Sequence, residues 1–425
     1  MRPRVVTVVV VLALIGTACG ARFKDHEETG ARAGTSSGAS SSPAAPTPTT
    51  TGGGGADRTA ESGPGPAPGV TDTEITIGYL LPITGAAPIP SRFDKGVNVY
   101  WNDVNAKGGI GGRKVKVIIE DTQSQAEVGK DKAKKLIEED HVFAIIVLDR
   151  LENQQAIGEY LNSRKVPNLE IQTPANLPGN QVWSFGVTID HAVQGKLVAD
   201  YFVKVLKAKK VAVIVENTPT LEPGRKAFTK EVAALHGKVV YEKAIEGQGS
   251  DFSNEALGLS SSGAQAVWLY VAPTPAATLA NQAEAAGFHP TWFANSISWA
   301  FDLVFVVGPK SLKGARAFSP WLPVADPRTA AYKKAYSAQN PGLAPDDLGI
   351  VGWGVGQIMA EGLRNAGPKL GQSSLRNALQ HLQFRPDIWA PLDFRPGVRE
   401  GANVVAVLKE DGGHWGLEAD FTGRF

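Results

Sequence analysis

The chain has 425 residues, 43% hydrophobic and 20% charged, enough apolar matter for one large or two medium cores and too little charge for a chain disordered throughout. Lys and Arg number 43 against 42 Asp and Glu, with no basic block or aromatic-interleaved basic stripe, which excludes nucleic acid as an expected partner. A single cysteine excludes a disulfide framework.

The chain opens MRPRVVTVVVVLALIGTACG. Arg2 and Arg4 form a positive n-region and Val5 to Ile15 an apolar h-region, so residues 1–19 read as an export signal. The apolar run is shorter than the roughly 20 residues of a membrane span, and anchoring falls to Cys19. Its place after Thr17 and Ala18 resembles a bacterial lipobox, with one departure: Gly16 stands where leucine is usual, and Ile15 lies one residue earlier. The alternative is ordinary signal cleavage that loses Cys19 or leaves it idle. Residues 20–69, rich in Gly, Ser, Pro and Thr, cannot offset their ordering entropy by burial and read as a tether. About 50 flexible residues reach roughly 40 Å. The GxSxG match at Gly34 to Gly38 lies in this tether, without the strand and helix a nucleophile elbow needs.

From Val70 onward, β-branched runs alternate with helical patterns, the order of parallel sheets with crossover helices. Strands are predicted at Ile75 to Leu81, Lys114 to Asp121, Val142 to Leu148, Val166 to Ile171, Val211 to Asn217, Val239 to Ile245, Ala266 to Ala272 and Thr291 to Asn295. Between the second and third, Val128, Ala133, Leu136 and Ile137 fall on one helical face opposite lysines and acids. The run GGIGG, Gly108 to Gly112, raises the question of a phosphate loop. Such a loop follows a strand and opens a helix. Here the glycines follow the helical spacing of Val97, Tyr100, Trp101 and Val104 and precede a strand, so they read as a helix stop and a tight turn.

The strand–turn–helix–strand order of residues 114–148 recurs at residues 238–271, which implies two similar α/β lobes. Ligands of open α/β sheets bind beyond the carboxyl ends of the strands, and two such lobes face one another across a cleft.

Catalytic constellations are missing. The seven histidines are scattered, with no HExxH, no second cysteine for a metal cluster and no Walker pattern, so neither an enzyme nor a metal or organic cofactor is expected.

GVTDTEITIGYLLPITG (Gly69 to Gly85) followed by NAKGGIGGRKVKVIIEDTQS resembles the opening of type I periplasmic binding proteins of the branched-chain, or hydrophobic, amino acid transporter family. The likeness continues through QGKLVADYFVK, VAVIVENTPTLEPGRKAF, AAGFHPTWFANS and APLDFRPGVREGANVVAVLKEDG, covering Gly69 to the C-terminus. It implies two Rossmann-like lobes joined by a three-crossing hinge, an interlobe ligand cleft, and delivery of a small molecule to an ABC permease and its ATPase. The lobes are expected at 70–187 plus 319–391 and at 188–318 plus 392–425, in a monomer lipid-anchored through Cys19 outside the bacterial cell membrane. A sensor lipoprotein feeding a separate signalling partner is the alternative, since fold does not separate delivery from signalling.

The amino-acid clamp of that family is not kept. In its amino-acid-binding members the loop after the third strand offers a serine, where this chain has Arg150 or Leu151; the next loop offers a carbonyl and a threonine, where it has Gln172 and Thr173 before Pro174. Ala272 or Pro273 replaces an aromatic ring, and Ser296 replaces the acid that pairs with the ligand ammonium. A free branched-chain amino acid is therefore not the expected ligand; an aromatic or other organic acid, or an amide, is favoured. The candidate ligand residues are Thr84, Gly85, Arg150, Leu151, Glu152, Gln172, Thr173, Thr220, Pro273, Ser296 and Trp299, with Arg150 suited to a carboxylate and Trp299 to an apolar body. The competing reading makes Arg150 and Glu152 a solvated rim pair, Trp299 a core residue, and Thr84 with Gly85 mere shapers of a turn.

Overall fold

The computed structural model describes residues 67–85, 92–171, 181–247, 249–294, 302–308 and 310–425. The first stretch alternates β1 (Glu74–Leu81), α1 (Phe93–Ala106), β2 (Lys114–Asp121), α2 (Ala126–Glu138), β3 (Ala144–Val147), α3 (Leu151–Ser163), β4 (Asn168–Glu170) and β5 (Ser184–Ile189). A second follows with α4 (His191–Asp200), β6 (Lys210–Glu216), α5 (Glu222–Ala234), β7 (Lys238–Ile245), α6 (Ser253–Ser262), β8 (Ala266–Tyr270), α7 (Pro273–Ala285), β9 (Thr291–Ala294), α8 (Leu303–Val307) and β10 (Arg316–Ser319). The chain then returns through α9 (Ala330–Gln339), α10 (Asp347–Asn365), α11 (Gln372–Gln380), β11 (Gln383–Phe384), β12 (Leu392–Asp393) and β13 (Glu400–Ala402), and ends in β14 (Val405–Asp411) and β15 (His414–Thr422).

Two sheets result, in the orders β11-β12-β13-β5-β4-β3-β1-β2 and β15-β14-β10-β9-β8-β6-β7. The lobes are built alike: β1 and β6 each pair in parallel with a following edge strand and with the next strand inward. The predicted repeat maps onto β2-α2-β3 and β7-α6-β8, at matching places in the two orders. Inner strands such as AIIV of β3 and AVWLY of β8 are buried at every residue, as parallel strands covered on both faces must be. The edge strands KVKVIIED and KVVYEKAI are partly exposed and carry lysines and acids, which discourages pairing with another chain.

The glycine run takes the predicted role. Gly108, Gly109, Gly111 and Gly112 all have positive φ, from 56° to 105°. The Gly109 N–H donates back to Val104 O (2.9 Å), and Ile110 and Arg113 close the turn with reciprocal backbone bonds of 2.8 and 3.0 Å. A β-carbon at Gly109 would lie 1.9 Å from the Arg113 carbonyl oxygen. The N–H groups of Gly108, Gly109 and Ile110 are all taken by backbone carbonyls, so they do not cradle an anion.

Two expected boundaries move. The whole of β5 belongs to the first sheet, so the first crossing follows Ile189 instead of Val187 to Thr188. The third was expected near Pro391 to Phe394, but β12 turns back on β11 and β13 lies parallel to β5, which keeps the chain in the first lobe until Ala402. The apolar stretch ending in NVVAVL masked this detour, because two- and three-residue strands leave no periodicity. Ala67 to Gly69, assigned to the tether, form a turn in which Val70 N–H donates to Ala67 O (3.0 Å) and Thr76 N–H to Gly69 O (2.8 Å).

The hinge is packed on two buried indoles. Trp321, just past the second crossing, lies 5.3 Å from Trp389 between ring centroids. The flanking backbone pairs through Leu322 N–H to Ile388 O (2.9 Å) and Ala390 N–H to Pro320 O (2.7 Å). The Trp389 indole N–H donates to Val187 O of β5 at 2.8 Å, tying in the strand that leads to the first crossing. Trp389→Ala is expected to cost about 3–5 kcal/mol through lost burial and Trp389→Phe about 1–3 kcal/mol through the orphaned carbonyl and smaller ring, as read by urea unfolding. Equal costs for the two would show that the hydrogen bond, and not the packing, dominates.

Candidate functional site

The carboxyl ends of both sheets converge on an interlobe pocket of about 380 Å³ lined by Arg150, Glu152, Glu216, Asn217, Thr218, Pro219, Glu246 and Gly247. Arg150 and Glu152 come from the first lobe, at the amino end of α3; Glu216 ends β6 of the second, and the others follow β6 and β7.

The pocket is bridged by polar contacts between lobes. Arg150 Nη2 lies 3.2 Å from Glu216 Oε1. Thr218 donates its hydroxyl to Glu152 Oε1 at 2.5 Å, and Thr220 does so at 3.4 Å. The two threonine hydroxyls are 2.9 Å apart. Asn217 Nδ2 donates to Glu246 Oε1 at 3.0 Å. The solvated Arg150–Glu152 pair is thus not formed: each member finds its partner on the other lobe.

The base of this arrangement is rigid. Asp149, 1% exposed, accepts from Arg150 N–H (2.6 Å), Asn153 Nδ2 (3.0 Å) and the Thr122 hydroxyl, which fixes the first turn of α3 against the end of β2. Burial pushes the Asp149 carboxyl up despite these donors. Glu216 is also raised, by burial first, against the opposing pull of Arg150 and with help from Glu152 and Glu246. Its carboxylate also accepts from the Ala272 N–H, at the start of α7.

The predicted residues divide accordingly. Arg150, Glu152 and Thr220 meet at the interlobe contact. Leu151 is buried and does not line the pocket. Pro273 opens α7 beside the carboxyl end of β8. Thr84 gives its hydroxyl to Asp121 Oδ2 at 2.5 Å, and a β-carbon on Gly85 would strike the Gln123 carbonyl oxygen at 1.9 Å, so both shape the turn after β1. Asp121 is pushed up by burial, but the Thr84 hydroxyl and the N–H groups of Gln123, Thr84 and Ile83 outweigh this and leave it below its ordinary value. Gln172, Thr173, Ser296, Trp299 and Cys19 lie outside the described residues.

Sequence reading missed Glu216 and Glu246. Glu216 had a visible signal: an acid ending the apolar strand VAVIVE, where parallel sheets bind ligands. Arg150 is, among the described residues, the one cation lining the pocket with Glu152, Glu216 and Glu246. Among the described residues, no group of His, Cys, Asp and Glu is arranged to hold a metal ion, and no helix is long and apolar enough to cross a membrane.

With side-chain exposures of 37% and 17%, the Arg150–Glu216 pair is screened by solvent. A double-mutant cycle of Arg150→Ala and Glu216→Ala is expected to give a coupling of about 0.5–1 kcal/mol that falls as salt rises to about 1 M. A salt-independent coupling would contradict an exposed ionic contact.

Residues 74–413 match the family described as periplasmic binding protein. An amino acid binding protein of Pseudomonas aeruginosa is 26% identical over 313 residues, 69% of this chain and 79% of that one. Among solved structures, a fatty acid ABC transporter substrate-binding protein from Thermomonospora curvata superposes with a TM-score of 0.73 at 19% identity, covering 84% of this chain and 95% of that one. The branched-chain amino acid transporter substrate binding protein LivJ of Streptococcus pneumoniae, in complex with isoleucine, gives 0.72 at 17%, covering 82% and 100%. A solute binding protein of an R. palustris ABC transporter, in complex with benzoate, gives 0.69 at 18%, covering 82% and 97%. The paired sheets, their strand orders and the match over residues 74–413 make one conclusion plain: the chain belongs to the periplasmic binding protein family and has its type I fold.

Proposed function

We propose that the chain is the extracytoplasmic solute-binding lipoprotein of an ABC importer, which captures a small organic solute by hinge closure and hands it to a permease with its ATPase. The observation that carries this reading is the direct polar bridging of two lobes at the carboxyl ends of both sheets, Arg150 to Glu216 and Glu152 to Thr218. A ligand seated there touches both lobes at once, and only such differential contacts shift a population toward the closed form. The chain binds and releases its solute unchanged, as a monomer, with the tether of residues 20–69 linking a lipid on Cys19 to the folded part.

Relatives of this fold are described with amino acids, a fatty acid transporter and benzoate, so the fold leaves the ligand open and the pocket's chemistry must choose. An organic acid held by Arg150 has to displace Glu216 and sit beside Glu152 and Glu246. An amide meets both needs of the site, accepting from Arg150, Asn217 or a threonine hydroxyl and donating to the carboxylates. Our reading therefore keeps the expectation of a ligand other than a standard branched-chain amino acid and places amides ahead of organic acids.

A thermal-shift panel of leucine, valine, benzoate, other aromatic acids, amides, urea and polyamines tests this. An amide is expected to raise the melting temperature most; a strong response to leucine or valine contradicts the ligand assignment. Response to a protein partner alone contradicts the importer reading. For the anchor, Cys19→Ala is expected to move the protein from the membrane fraction to the soluble one, and retention at the membrane contradicts lipidation.

A further inference from the structure

A second polar contact crosses the lobes away from the pocket. Asp302 precedes α8 in the second lobe, and its backbone N–H donates to Asp347 Oδ2, in the first turn of α10 in the first lobe, at 3.3 Å. The other oxygen of Asp347 accepts from Val324 N–H at 3.2 Å. Asp347 is 5% exposed, so the second lobe helps to remove it from water. The Asp302 carboxylate is held within its own lobe by Trp415 N–H (2.8 Å) and His414 Nδ1 (2.7 Å).

Among the described residues, no cation makes a hydrogen bond or ion pair with Asp347. On its own helix Asp346 is adjacent, and Arg92, at the start of α1, spends its guanidinium on Asp346 at 2.8 Å. From α9, Lys333 donates to the carbonyl oxygen of Val324 (3.1 Å) and the Tyr332 hydroxyl to that of Asp346 (2.8 Å). From the second lobe the facing groups are Asp302 and, behind it, His414. Two carboxyls with mutual repulsion and only backbone donors at the buried one cannot both stay ionised at low cost. Asp302 keeps its bonds to Trp415 N–H and His414 Nδ1, while Asp347, with backbone donors only, is the carboxyl on which the proton settles.

We propose that the Asp302–Asp347 contact is a proton-operated latch between the lobes: a proton on Asp347 removes the repulsion and favours closure, and its loss lets the lobes part. Burial and the Asp302 charge push the Asp347 carboxyl up to about 7 in the closed arrangement, from an ordinary 3.8. A group raised on closure binds its proton more tightly there. Closure is therefore favoured progressively as pH falls from about 7 toward about 4, and that contribution is lost as pH rises through about 7, with the closed-to-open ratio changing at most about tenfold per pH unit. A solute that must be bound outside the cell and released at the membrane would then be held more firmly in acidic surroundings.

The latch rests on the hinge-closing reading, but its test needs no solute. The full chain carrying Cys19→Ala has no native thiol, and Glu159→Cys on α3 with Lys226→Cys on α5 places one dye on each lobe at exposed positions. Energy transfer is measured from pH 8.5 to pH 5. The closed fraction is expected to rise on acidification with a midpoint near neutral. Asp347→Asn is expected to stay closed and pH-insensitive, and Asp302→Asn to move the midpoint to lower pH by removing the repelling charge. A flat wild-type profile, or a wild-type response retained in Asp347→Asn, overturns the latch. A flat profile together with a positive solute panel removes the latch and leaves the receptor reading intact; failure of the panel sinks that reading alone.

Discussion

The join between the two lobes is built around the packing of Trp321 against Trp389. The two indoles sit where the chain passes between lobes, and the short backbone pairing beside them joins the second crossing to the segment that leads to the third. Through Val187, the same block also holds the strand that runs to the first crossing.

From that constraint the site follows. Each lobe presents the carboxyl ends of parallel strands and the amino ends of the helices after them, and the hinge sets those two faces opposite one another. The amino ends of α3 and α7 bring backbone N–H groups and positive dipole ends to the cleft, and the chain answers with carboxylates: Asp149 beneath α3 and Glu216 beneath α7. What is left for a solute is a pocket of hydroxyls, an amide, acids and one guanidinium, already satisfied by its own lobes. On the proposed reading, binding there is an exchange of polar partners, and selectivity follows from which solute replaces those partners without leaving a buried group unpaired.

Much of the scaffold was legible in the sequence because parallel strands covered on both faces leave unbroken apolar runs; all eight expected strands are present within a few residues of their predicted ends. The order of elements also settled the GGIGG run, which no phosphate loop could use. The misreadings have physical causes. β5 and β10 carry serines and glycine or arginine within short runs, and β11 to β13 are too brief for any periodicity, so the third crossing was set about ten residues early. At the site, Arg150 and the strand-end acid Glu216 are each visible in the sequence, but their pairing is not. Glu216 lies 66 residues away on the other lobe, and the contact exists only through the relative placement of two sheets, which no local pattern encodes. Ser296 stands where amino-acid-binding members of the family have an acid, and the acids of this pocket are instead Glu152, Glu216 at the end of β6 and Glu246 after β7.

The central claim is that a solute held between Arg150 and Glu216 draws the two lobes together. Small-angle X-ray scattering of the protein with and without a solute that stabilises it tests this directly. The account predicts a smaller radius of gyration in the bound protein, with the change lost in Glu216→Ala; tight binding with no change in lobe separation would contradict it.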